Sequence, residues 1–216
     1  MTIYTIYLIT FQILISLVVI KFSKRLNLLD NPDSRKTHKK AVPYTGGVIL
    51  SITFLFLVFI TNYENNFLNI LLCYSLLITL SGYMDDRYKI NTGTKVLLQI
   101  IPIFLVINNG FYLTDLGQYE YYDKLKLGSF DKIFTLLCCL FIINSSNYSD
   151  GIDSLLSIIG IIIISYFAFL LFIFNRIDYS SYLIMIVITL IIHSFFNFGL
   201  LKNYKLFLGD SGSNLI

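Results

Sequence analysis

The sequence predicts an all-α protein, a polytopic bundle of helices spanning a membrane, and three observations carry that prediction. Charged residues make up 13% of the 216-residue chain and hydrophobic residues 56%, whereas an ordinary soluble domain carries about 25% charged residues. The apolar residues fall in unbroken runs, most of them near the roughly 20 residues that a helix needs to cross a bilayer. The runs lack the short polar–apolar alternation of a membrane barrel, and a backbone in lipid must satisfy its own hydrogen bonds, so helices remain.

The first run is residues 2–22, with no charge before Lys21. Nothing basic precedes it and no small-residue cleavage site follows, so it is expected to be a retained helix and not a signal peptide. Further runs cover 46–62, 67–84, 95–109, 130–147, 153–175 and 180–200, which makes about seven transmembrane helices in a single domain, 1–216. The 95–109 run is short and contains Pro102. Seven helices put loops 23–45, 85–94, 148–152 and 201–216 on one side, and 63–66, 110–129 and 176–179 on the other. With helix ends included, twelve of the 16 Lys and Arg residues belong to the first side; only Lys124, Lys126, Lys132 and Arg176 belong to the second. The positive-inside rule then assigns the first side to the cytoplasm and the N-terminus to the periplasm. Loop 110–129, with Gly110, Gly117 and Gly128 around Tyr-rich pieces, reads as a small outer hairpin.

Composition excludes several classes. A net charge of +3 gives no basic face for nucleic acid. Cys73, Cys138 and Cys139 all sit inside apolar runs and read as small buried hydrophobes, not a disulfide framework. Neither His38 nor His193 has the spacing to complete a zinc site. His193 lies within an apolar helix and reads as a packed or interhelically bonded side chain.

Four polar islands interrupt the apolar sequence, all on the side with most of the positive charge. The first is Asp30-Asn-Pro-Asp-Ser-Arg-Lys-Thr-His-Lys-Lys-Ala-Val-Pro-Tyr-Thr-Gly-Gly47. Its Arg35, Lys36 and His38 suit phosphate binding; the plainer reading is a juxtamembrane basic cluster in an irregular loop. The second, Gly82-Tyr-Met-Asp85-Asp86-Arg87, sets two acids at the C-terminal end of an apolar helix, where the dipole disfavours anions. Arg87, Lys89 or a divalent cation could offset that. The third runs Asn144-Ser-Ser-Asn147-Tyr-Ser-Asp150-Gly151-Ile-Asp153. One reading has Asp150 capping the next helix with Asp153 in its first turn; the other is a polar cavity at the membrane surface. The fourth is Phe207-Leu-Gly-Asp210-Ser-Gly-Ser213, either a helix cap or a metal ligand on a tight turn open to phosphate. Five acids and a basic loop at one membrane surface suit magnesium-dependent chemistry on a phosphorylated substrate held by an apolar scaffold.

The islands, in order, resemble the polyprenyl-phosphate N-acetylhexosamine-1-phosphate transferase family. The resemblance rests on Asp30-x-Pro-x-x-Arg35-Lys36-x-His38 with Pro43-x-x-Gly46-Gly47, on Asp85-Asp86-Arg87, on Asn144-x-x-Asn147-x-x-Asp150-Gly-Ile-Asp153, and on Phe196-Asn197 followed by Phe207-Leu-Gly-Asp-Ser-Gly-Ser213. It implies transfer of a sugar-1-phosphate from a UDP-sugar to undecaprenyl phosphate, with release of UMP, at the cytoplasmic face of a bacterial inner membrane. It implies a magnesium ion, with manganese as the alternative, and Asp210 as its ligand. Asp85 would accept a proton from the lipid phosphate or orient it, supported by Asp86. Asp150 and Asp153 join the catalytic set, and Arg35, Lys36, His38, Asn144, Asn147 and Asn197 contact substrate. Lys95 at a helix start would do likewise, unless it is a snorkelling helix-end lysine. Direct attack and a covalent aspartyl intermediate both stay open. The partners implied are the UDP-sugar, undecaprenyl phosphate and the bilayer, with a homodimer as candidate assembly.

Members of that family carry about ten or eleven helices and a later His-rich loop, which 216 residues do not supply. The sequence alone therefore suggests a shortened or fragmentary relative, with weak or no activity if nothing follows. Two other classes fit the sequence less well. A CDP-alcohol phosphotransferase needs an Ala-Arg after its Asp-Gly, which Asp150-Gly-Ile-Asp lacks. A transporter should carry polar residues at mid-membrane.

Overall fold

The computed structural model describes residues 2–30, 41–61, 66–118, 124–201 and 204–216. The elements are α1 (Thr2–Phe22), β1 (Leu29–Asp30), β2 (Val42–Pro43), α2 (Gly46–Thr61), α3 (Asn66–Tyr88), α4 (Thr92–Asn108), a 3-10 turn at Gly128–Phe130, α5 (Asp131–Ser149), α6 (Leu155–Ile173), α7 (Ile177–Asn197) and the short α8 (Gly209–Ser213). A long helix stands at each of the seven apolar runs. Two boundaries matter for function. Helix α3 continues to Tyr88, so Asp85 and Asp86 lie on its last turns and not in the loop beyond. Helix α4 starts at Thr92 because the Asn91 side chain accepts from the Thr94 N–H at 2.8 Å, capping the first turn. Pro102 lies within α4 without ending it.

Among the described residues, four helices are long and apolar enough to cross a membrane: Ile3–Phe22, Gly128–Ser149, Leu155–Ile173 and Ile177–Asn197. Helices α2 and α4 are shorter and apolar. The chain is a helical membrane protein, and its surface agrees with that. Phe59, Phe141 and Phe174 are 80%, 75% and 71% exposed; in water such a surface would be an aggregation hazard, but lipid tails are as apolar as these rings. The buried core is narrow and interhelical. Leu8, Leu57, Tyr182 and Met185 join α1, α2 and α7, while Leu50, Leu156, Leu190 and Leu208 join α2, α6, α7 and the chain before α8. Polar stitches cross the same interfaces: Gln12 Nε2 donates to the Thr189 carbonyl at 2.8 Å, and Ser180 Oγ to the Ala168 carbonyl at 2.8 Å.

One end of the bundle is knitted together around residues 204–214. Strands β1 and β2 pair antiparallel, Leu29 with Pro43 and Asp30 with Val42, inside what reads from the sequence as irregular loop. The Phe207 N–H donates to the Pro43 carbonyl at 2.7 Å, and the Gly46 and Gly47 N–H groups donate to the carbonyls of Phe207 and Leu208 at 3.0 and 2.9 Å. The first turn of α2 therefore holds the chain that enters α8. At the far end of α4 and α5, the N–H of Leu116 donates to the Leu125 carbonyl at 2.9 Å and that of Leu125 to the Gly117 carbonyl at 3.1 Å. These two arms form the hairpin expected between 110 and 129, beyond the end of α4, which lies about 20 Å from Lys95 along a helix rising 1.5 Å per residue.

Candidate active site

Helix α8 is the hub. Its Asp210 and Ser211 N–H groups donate to the two oxygens of Asp86, at 2.9 and 3.0 Å. A carboxylate at the end of α3 thus satisfies orphan donors at the start of α8, where negative charge is favourable. Asp150 reaches the same turn from α5 and accepts from the Gly209 N–H. Lys95 comes from α4 and pairs with Asp85 at 2.8 Å and with Asp210. Ser213 Oγ donates to Asn147 Oδ1. Helices α3, α4 and α5, together with α8, therefore bring Asp85, Asp86, Lys95, Asn147, Asp150 and Asp210 to one place.

These approaches need backbone without side chains in the way. A Cβ on Gly82 would strike the Asp210 carbonyl group and Ser211 Cα, and one on Gly47 would strike the Ser211–Gly212 backbone. The glycines of the second and first islands are there so that α3 and α2 can touch α8.

Among the described residues, charge in the cluster is unbalanced, with four carboxylates around the Lys95 ammonium. Burial pushes the Asp86 carboxyl up to about 6, although the Ser211 and Asp210 N–H groups favour the ion. Burial, then the charges of Asp210 and Asp86, push Asp150 up to about 7. Asp210 is raised by burial and by its hydrogen bond with Asp85, against the pull of Lys95. Burial also opposes ionisation of Asp85, but the hydrogen bonds with Asp210 and Lys95 hold it below the usual carboxylate range. The described residues of the site thus carry more acid than base.

Among the described residues, no group of three or more His, Cys, Asp or Glu side chains is set to enclose a metal. That donor set does not make a protein cage, but it fits magnesium, which takes one or two carboxylates and completes its shell with water and substrate phosphates. Asp210 is the most open acid beside the lysine, 37% exposed against 17% for Asp85.

Arg35, Lys36 and His38 fall outside the described residues. Asp150 is the C-cap of α5 and does not cap α6, which begins after Ser154. Asp153 precedes α6 and pairs with Lys205 at 2.5 Å, and Lys205 sits over the Phe207 ring at 5.2 Å. Arg87 turns to Tyr83 Oη at 3.1 Å; the cation that meets the paired acids is Lys95. Asn197, grouped with substrate contacts in the sequence, is 3% exposed with its amide engaged at both ends. Its oxygen accepts from the Ser154 N–H at 2.5 Å and hydroxyl at 2.9 Å, and its nitrogen donates to the Leu206 carbonyl at 2.8 Å. It braces α6, α7 and the chain into α8 from behind. His193 is buried with Nδ1 3.2 Å from Ser157 Oγ, the interhelical bond expected of it. The sequence did not reveal Gln99, which is buried on α4 against Asn144.

The profile described as glycosyl transferase family 4 matches residues 68–216. A Yersinia pestis protein is 30% identical over 213 residues, 98% of this chain and 58% of its own length. An Escherichia coli K12 protein is 27% identical over 198 residues, 91% of this chain and 54% of its own. A Salmonella typhimurium protein is 26% identical over the same shares. Each of the three is named an undecaprenyl-phosphate alpha-N-acetylglucosaminyl 1-phosphate transferase. The chain spans somewhat more than half the length of these curated relatives.

Proposed function

Because the chain belongs to glycosyl transferase family 4, we propose that it serves the transfer of an N-acetylhexosamine-1-phosphate from a UDP-sugar to undecaprenyl phosphate, releasing UMP. The observation that carries this reading is the convergence of Asp85, Asp86, Lys95, Asn147, Asp150 and Asp210 on α8. The names of the relatives supply the undecaprenyl phosphate and the N-acetylglucosaminyl 1-phosphate group.

In its direct form the reaction is one displacement. An oxygen of the lipid phosphate attacks the donor's β-phosphorus, the bond to the bridging oxygen breaks, and UMP leaves. Phosphoryl transfer asks the protein mainly for positioning and charge. Asp85, kept ionised beside Lys95, accepts the proton of the lipid phosphate and orients it. Lys95 neutralises phosphate oxygens once substrate parts it from Asp210. Asp86 and Asp150 hold the α8 turn by its N–H groups, and Asn147 fixes Ser213. Asp210 would hold magnesium, or manganese, together with the donor phosphates; bound there, the ion neutralises charge developing on the diphosphate.

The topology belongs to the same proposal: seven spans, a periplasmic N-terminus and the α8 end at the cytoplasmic face of the inner membrane. Its support is the lysine and arginine distribution and the alternation of α2 to α5, which meet α8 by their N-terminal, C-terminal, N-terminal and C-terminal ends in turn. Single cysteines test it. A cysteine replacing Lys89 should react with an impermeant maleimide only in opened cells, and one replacing Lys126 in intact cells. The reverse pattern would overturn the orientation.

A further inference from the structure

The wedge between α4 and α5 holds polar groups with no role so far. Gln99 is 0% exposed. Its Oε1 accepts from Asn144 Nδ2 at 3.2 Å, and the same nitrogen donates to the Leu140 carbonyl, one turn back, at 2.8 Å. The bond to Leu140 fixes which end of the Asn144 amide is nitrogen. Turning the Gln99 amide over would then set two donors against each other. Gln99 Nε2 is therefore a donor held away from Asn144, buried and without a hydrogen-bond partner. Such groups are rare in native structures and call for an explanation. Asn147 Nδ2 is a second buried donor without a partner.

The two donors are linked through Asn144, which bonds Gln99 and precedes Asn147 by three residues on α5. Lys95 and Gln99 are four residues apart on α4, and Asn144 and Asn147 three apart on α5, so each pair lines one helical face. Lys95 and Asn147 both touch α8. Gln99 lies one turn deeper, about 6 Å further from the α8 end at 1.5 Å per residue. The outer faces of these helices are apolar and bare: Leu97 and Phe104 are 64% and 56% exposed, Leu137 and Phe141 59% and 75%. A ligand that satisfies two amide donors and an ammonium offers negatively charged oxygens. One that reaches a turn below Lys95, on helices whose outer faces are bare and apolar, carries those oxygens on a lipid.

We propose that Gln99 is a binding residue for the phosphate head group of the polyprenyl acceptor, donating through Nε2 beside Lys95 and Asn147. This rests on the transferase reading above. Gln99→Glu tests it, because the glutamate keeps an acceptor oxygen for Asn144 while replacing the free donor with an acidic oxygen. The protein in nanodiscs is assayed for binding of undecaprenyl phosphate and, separately, of UDP-GlcNAc. The expected result is that Gln99→Glu weakens undecaprenyl phosphate binding by about tenfold or more, with UDP-GlcNAc binding unchanged within twofold. Gln99→Leu, which removes the donor without adding charge, should weaken the same ligand and stands in if the glutamate variant does not fold. Unchanged lipid phosphate binding in the folded variants would overturn the role of Gln99 while leaving the transferase reading, which stands on α8, intact. Loss of UDP-GlcNAc binding in place of the lipid would overturn the assignment to the acceptor. Absence of binding of either ligand to the wild-type protein would overturn both this inference and the reading beneath it.

Discussion

Asp210→Asn is expected to lower UMP release by about 10³-fold or more while leaving the fold intact. The size follows from charge. Asparagine has nearly the same shape but cannot supply the anionic oxygen that a magnesium–diphosphate complex needs, and losing one electrostatic group in such a site costs about 10²–10³-fold even without a metal. The fold should survive because Asp86 binds the backbone N–H groups of Asp210 and Ser211, not the Asp210 side chain. Removing the Asp210 charge also relieves the repulsion that helps raise Asp150. The measurement is turnover alongside the melting temperature, which should move by no more than a few degrees. Near-normal turnover would remove Asp210 from the metal site.

Gly82→Ala is the second large effect, and it has the opposite signature. The added methyl would occupy the space of the Asp210 carbonyl group and Ser211 Cα. Backbone cannot swing aside as a side chain can, so α3 and α8 must separate. Overpacking of this kind costs about 1–3 kcal/mol, and displacing the reacting groups by about 1 Å costs about 10²-fold in rate. Turnover and melting temperature should therefore fall together. A Gly82→Ala protein with normal turnover would mean that the contact between α3 and α8 does not position the site.

The helices were legible because lipid makes their signal strong: apolar runs of membrane length have few alternatives. The site was legible in part, since the acids and glycines of the four islands stand out against that background. What each acid touches was not. Asp150 looks like a helix cap in sequence, but α6 starts only after Ser154, which leaves Asp150 free to reach Gly209. Arg87 follows the paired acids, yet the lysine that meets Asp85 lies ten positions further on, because α4 returns antiparallel to α3. Asn197 sits in a family-like dipeptide, and only its partners reveal a brace. Gln99 gave no signal, because one glutamine in an apolar run fits a bonded core residue as well as a ligand contact. Its meaning depends on Asn144, 45 positions away. The β1–β2 pairing was hidden for a similar reason, since two-residue strands carry no periodicity.

The central claim is that α8 and the acids gathered on it form a phospho-sugar transfer site. The direct measurement supplies UDP-GlcNAc labelled with ³²P at the β-phosphate, together with undecaprenyl phosphate and magnesium, to membranes carrying the protein. Transfer of sugar-1-phosphate moves the label into the lipid fraction, leaves the released UMP unlabelled, and stops in Asp210→Asn. Label that stays in the water-soluble fraction with the wild-type protein, or enters lipid equally well with Asp210→Asn, would contradict the claim.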